Sequence, residues 1–274
     1  MKNQRLIEAL SDIDDNCSTI EQRRAFRQLC ESLDNNETTV QPKDYYELIG
    51  IIDEQIQKNG WECDLNFIDV SKIDTMSYLF SDGDFRSNFK KFNGDISKWD
   101  TSNVKDMSGM FYQSKFTGDI SQFDVSNVIN MQSMFERSKF NGDISKWDVS
   151  NVTDMSYIFG YSQFNGDISD WDVSNVTDMT GTFMSSKFNG DISSWNVSNL
   201  TTTDSMFEQS KFKGDISDWD VSGITHAENM FFGSRFIGDL SNWSITIAYN
   251  QMRDMFGDSA LEKKGMLPDW YRKN

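Results

Sequence analysis

Between residues 61 and 259 the apolar positions return on a ruler of 24 residues, and the polar positions return with them. Phe92, Phe116, Phe140, Phe164, Phe188, Phe212 and Phe236 mark the period. Behind each Phe come Gly-Asp, then Ile or Leu, then Ser, then an aromatic column of Trp99, Phe123, Trp147, Trp171, Trp195, Trp219 and Trp243. A degenerate copy beginning at Trp61 continues through Ile68, Val70, Ile73, Met76 and Phe80, which brings the number of copies to eight. A unit of this length cannot bury an apolar face alone and must lay it on its neighbours, so the period predicts a solenoid.

The elements of one copy follow from its local spacing. Ile144-x-x-Trp147-x-Val149 has the L-x-x-L-x-L form of a leucine-rich coil, and predicts a short strand with Trp147 and Val149 inward and Lys146, Asp148 and Ser150 outward. Val152, Met155, Ile158 and Phe159 recur at steps of three and four, which predicts a short helical return. The expected fold is therefore an α/β repeat solenoid, leucine-rich-repeat-like, of about eight strand-plus-short-helix coils. Parallel strands lie about 4.8 Å apart, giving a stack on the order of 40 Å long. Gly142 is expected to permit a tight corner, with the Asp143 and Ser145 side chains holding backbone amides there.

The consensus F-N-G-D-I-S-x-W-D-V-S-N-V-T-D-M-S-x-M-F, which Phe140 to Phe159 reproduces nearly in full, resembles the bacterial surface-protein repeat of BspA-type leucine-rich-repeat proteins, abundant in mycoplasmas and other bacteria. The resemblance covers about residues 61–259. It implies a leucine-rich-repeat-like solenoid used for binding, often as a surface adhesin or lipoprotein.

The flanks follow other rules. Residues 1–60 show helical periodicity, with Leu6, Leu10 and Ile13 on one face, Phe26, Leu29, Cys30 and Leu33 on a second, and Tyr45, Leu48, Ile49, Ile52 and Ile56 on a third. They predict about three helices capping the first coil, with Pro42 as a helix-start residue and Gly60 as a stop. The last coil drifts and gains a residue before Phe256, and the tail 260–274 is expected to fold over it through Leu267 and Trp270. One insertion, 81–91, interrupts the array. Its Phe85 and Arg86 make it a candidate contact element, and a loop that only patches the first coil is the alternative.

Composition narrows the chemistry. The 26 Lys+Arg against 43 Asp+Glu leave a formal charge of −17, which excludes nucleic acid as a partner because phosphates reward the opposite balance. A single histidine, His226, excludes multi-histidine zinc sites and leaves an imidazole-dependent hydrolase little to work with. Cys17, Cys30 and Cys63 fit neither a disulfide framework nor a metal knuckle. No stretch is apolar enough to insert in a membrane, and no secretory signal precedes the repeats, so the expected location is cytoplasmic. No catalytic residue, metal or cofactor is predicted, because the carboxylates recur identically in every copy, whereas a catalytic pocket needs one asymmetric constellation.

Outward columns are the binding candidates. Beside each inward aromatic residue lies Asp100, Asp124, Asp148, Asp172, Asn196, Asp220 or Ser244. The neighbouring column is mixed: Lys98, Gln122, Lys146, Asp170, Ser194, Asp218 and Asn242. Stacked carboxylates repel one another. Two readings account for them: a strand-side acidic face that binds a basic protein, or a column in which each Asp bonds its own turn amides. The first makes this non-enzymatic solenoid an intracellular inhibitor or immunity-type protein, and the alternative is a BspA-like surface adhesin.

Overall fold

The structure is a computed structural model that describes residues 39–82 and 88–272. The chain divides into two units, Met1–Val40 and Gln41–Asn274, and the repeats lie wholly in the second. The helices predicted around Leu6 and Phe26, Cys17 and Cys30, and both Phe85 and Arg86 of the insertion fall outside the described residues.

The second unit opens with helix α1, Tyr45–Asn59. Asp44 caps it by accepting from the Glu47 amide at 2.9 Å, and Gly60, at φ 85°, closes it. Leu48, Ile52 and Ile56, one turn apart, are buried in the same core as the first coil. Two one-turn helices, α2 (Ala260–Lys263) and α3 (Asp269–Arg272), end the chain.

Between α1 and α2 the array is built from turns, which corrects the expected α/β solenoid of strand-plus-helix coils. Among the described residues no coil contains an α-helix, and successive coils are joined by isolated parallel bridges, the run Asp106, Asn130, Asp154, Asp178, Thr202 and His226. The physical reason lies in where the amides go. In the segment expected to be a strand, Trp147 N donates to Ile144 O, Ser150 N to the Asp148 carboxylate and Val152 N to Val149 O, so these amides close turns inside the coil. In the segment expected to be a helix, alternate amides leave the coil. Met155, Tyr157, Phe159 and Tyr161 donate to Asp178, Thr180, Thr182 and Met184 of the next coil, at 2.7–3.1 Å. A helix would have kept all of them internal.

That crossing pattern requires left-handed residues, and they form two columns. The first runs Tyr78, Gly109, Ser133, Tyr157, Gly181, Ser205, Asn229 and Asp254, and the second Gln113, Arg137, Tyr161, Ser185, Gln209, Gly233 and Asp258. Most are not glycine, although this region of backbone space favours glycine. The glycines expected at corners serve another purpose. A Cβ on Gly142 would sit 2.8 Å from the ring of Phe140, so this residue leaves room for the aromatic side chain two positions earlier.

The core is two zipped columns of phenylalanine. Phe80, Phe111, Phe135, Phe159, Phe183, Phe207, Phe231 and Phe256 stack at 5.4–6.0 Å between ring centres. Each inner ring from Phe111 to Phe231 also packs on the Phe five residues later, Phe159 on Phe164 at 4.3 Å for example. Tryptophan adds a polar tie: the indole N–H of Trp147, Trp171, Trp195, Trp219 and Trp243 donates to the Ile carbonyl 27 residues earlier. At the end of the array Trp270 takes the same role, donating to Leu240 O at 2.8 Å, while Tyr271 lies edge-on to Phe256. The tail thus continues the ladder pattern and covers its last ring.

Candidate functional site

The acidic column owes its recurrence to the turn it closes. Asp100, Asp124, Asp148, Asp172 and Asp220 each accept, through Oδ1, from the backbone amide of the Ser two residues on, at 3.0–3.1 Å. In the fifth position of this rank Asn196 makes the same turn with Ser198. The Ser174 and Ser222 hydroxyls, followed by their amides, hold Asp172 and Asp220 below the usual carboxylate range, so both stay ionised. One residue past the Ser, the side-chain amides of Asn127, Asn151, Asn175 and Asn199 donate to the preceding coil's Ser carbonyls at 2.7–2.8 Å. These bonds give each Asp of the column a turn-closing role, and the Asp residues are exposed.

The remaining predicted residues lie on the same outward edge. Lys98, Lys146, Asp170 and Asp218 are exposed, as is the whole Asp column. Lys146 meets Asp170 of the next coil at 3.4 Å with both side chains about four-fifths in water, a contact worth about 0–1 kcal/mol. At the base of the insertion Lys90 pairs with Asp82 at 2.6 Å and Phe89 is buried. His226 is exposed, with its Nδ1 3.0 Å from the Thr225 hydroxyl. Cys63 is buried and its thiol is pushed up by that burial. Among the described residues no group of His, Cys, Asp and Glu is arranged to hold a metal ion, and no helix is long and apolar enough to cross a membrane.

A second side of the array was not singled out from the sequence. It is the left-handed side, where identity changes from coil to coil. One position reads Tyr112, Glu136, Gly160, Met184, Glu208 and Phe232, and the next reads Gln113, Arg137, Tyr161, Ser185, Gln209 and Gly233. Its side chains contact one another across coils. The Arg137 guanidinium lies over the Tyr161 ring at 4.1 Å and beside Glu136 at 3.4 Å, and Ser133 donates to Glu136 at 2.8 Å. Tyr78 and Tyr112 pack edge to face at 6.2 Å. Burial, and then the charge of Glu136, raise the Tyr157 phenol above its ordinary range, which keeps it a neutral donor. Aligning the copies and looking for positions that refuse to repeat would have located this side.

No curated protein and no solved structure matches this chain. The repeats do match a family: the one described as "Mycoplasma protein of unknown function, DUF285" matches residues 57–163, 84–187 and 159–270. These overlapping matches take in most of the 274 residues, and the chain belongs to that family of tandem-repeat proteins.

Proposed function

We propose that this protein is a non-enzymatic scaffold that binds another protein, of the inhibitor or immunity type, and that its partner is basic. The observation that carries the reading is the separation of repeating from non-repeating residues. Columns that recur in every coil offer the same chemistry along the whole array and cannot tell one protein from another. The residues that differ gather on the left-handed side, where Tyr112, Arg137, Tyr157, Tyr161 and Phe232 supply the aromatic and arginine side chains that dominate protein interfaces. A charge of −17 and the ionised Asp172 and Asp220 favour a basic partner and speed its approach. Against an enzyme stands the sameness of the two recurring Asp columns, whose members close turns of their own coils.

Affinity capture from the native cell at low and high salt, followed by mass spectrometry, tests this. A single basic protein retained at about 50 mM salt and released at about 0.5 M is the expected result. Tyr157→Ala with Tyr161→Ala should weaken its capture at least tenfold, and Asp172→Asn with Asp220→Asn should slow association while leaving the turns closed. Capture that survives both pairs of changes would falsify the assignment.

A further inference from the structure

The array has a third side, and it carries two opposite ranks of charge. The residue before each Phe of the period is Lys91, Lys115, Lys139, Gln163, Lys187, Lys211 or Arg235, and three residues after each Phe stands Asp95, Asp119, Asp143, Asp167, Asp191, Asp215 or Asp239. All of these residues are exposed. From Ser138 to Ile144, and again from Ser162 to Ile168, Ser186 to Ile192 and Ser210 to Ile216, the backbone runs without a turn, so both ranks lie on one side of the coil. Four residues of extended chain place them no more than about 14 Å apart. Between them runs a rank that ties the coils together, uncharged at Asn141, Asn165 and Asn189 and basic at Lys213: Asn165 N donates to Asn141 Oδ1 and Asn189 N to Asn165 Oδ1, both at 2.7 Å, and Lys213 N to Asn189 Oδ1 at 2.8 Å.

From Lys115 onward the basic rank has no ion-pair partner among the described residues, whereas Lys91, at its start, lies over the Trp61 ring at 5.9 Å. Like charges repeated at the coil spacing of about 4.8 Å repel one another, and a partner offering negative charge at the same spacing would relieve them. The Asp rank beside them has that spacing by construction, since both ranks ride on the same coils.

We infer that this flat side pairs with the same side of a second copy of the chain. A twofold axis parallel to the stacking direction sets the basic rank of each copy against the acidic rank of the other, with the two arrays running the same way and every coil facing its counterpart. The contact is self-complementary and closed, the form most homodimers take. The perpendicular twofold would set Lys against Lys. An unrelated polyanion would have to match the pitch by coincidence, whereas a second copy matches it of necessity. This side is distinct from the variable side, so the pairing stands or falls separately from the partner proposed above.

Sedimentation and native mass measurement of the full chain test the inference. The expected mass is twice 31.6 kDa at about 50 mM salt and a single copy at about 0.5 M. The fourfold change Lys115→Glu, Lys139→Glu, Lys187→Glu and Lys211→Glu should give one copy at low salt with an unchanged tryptophan circular dichroism signal, and the matching Arg changes should remain paired. From the other rank, Asp119→Asn, Asp143→Asn, Asp191→Asn and Asp215→Asn should weaken pairing at least tenfold without unfolding, because Asn196 closes the equivalent kind of turn in the native chain. A single copy at low salt, or a dimer indifferent to the four Glu residues, would overturn it.

Discussion

Replacing Gly181 with alanine reads out the backbone of the variable side. Gly181 sits at φ +60°, and a Cβ placed on it would lie 2.3 Å from Cε1 of Tyr157. The left-handed conformation costs alanine about 1–2 kcal/mol. Lost freedom in the unfolded chain returns about 0.4–1 kcal/mol. Moving the half-buried Tyr157 ring adds the about 1–3 kcal/mol typical of overpacking. The sum is a destabilisation of about 1–5 kcal/mol, which for a unit of this size lowers Tm by roughly 2–4 °C per kcal/mol. If residues 176–183 were the helical return expected from the spacing of Val152, Met155, Ile158 and Phe159 one period earlier, the same change would instead stabilise by about 0.5–1 kcal/mol. The sign therefore separates the two backbones. Gly50→Ala serves as the control: Gly50 lies inside α1 with nothing within 4 Å of its added Cβ, and should gain about 0.5–1 kcal/mol. Urea unfolding followed by tryptophan fluorescence measures both, and Tyr157→Ala in the Gly181→Ala background should recover part of the loss as a coupling energy of about 0.5–3 kcal/mol. A stabilised Gly181→Ala protein would refute the turn-built coil.

Further outcomes follow from the ladders. Phe123 occupies a tryptophan position, so Ile96 O lacks the indole donor its counterparts have; Phe123→Trp should raise stability by about 0.5–1.5 kcal/mol, seen as a higher urea midpoint. Asp148→Asn should leave the midpoint unchanged because Asn196 already closes the equivalent turn, whereas Asp148→Ala should lower it by about 1 kcal/mol. Backbone amides and hydroxyls of the following Ser hold Asp143, Asp167, Asp191, Asp215 and Asp239 below the ordinary carboxylate range. Their folded pKa lies under the unfolded value of about 3.9, so the unfolded chain binds more protons in that window; their contribution is complete above about pH 4 and disappears as pH falls through the folded value. A urea midpoint that stayed flat between about pH 5 and pH 2 would contradict this reading.

What the sequence by itself determined is the set of buried residues, their period, and the ends of the array. Phe159, Trp147, Val149, Val152 and Met155 are buried as their columns predict, and Leu48, Ile52 and Ile56 face inward from a capped helix. Burial is a property that side-chain chemistry announces, and a 24-residue repeat announces it seven times over. The turn chemistry of Asp143 and Ser145 was equally legible, since it needs only residues two apart. The tertiary structure alone decided what the backbone does between them. Steps of three and four suit a helix, yet they also suit a chain of turns whose alternate amides reach the next coil, and the choice depends on a neighbouring carbonyl that local spacing cannot reveal. The same holds for the surface. Whether Lys139 and Asp143 share a side, and whether Tyr112 and Arg137 do, depends on where each coil turns, so the ranks of charge and the side that refuses to repeat became visible only once the coils were stacked.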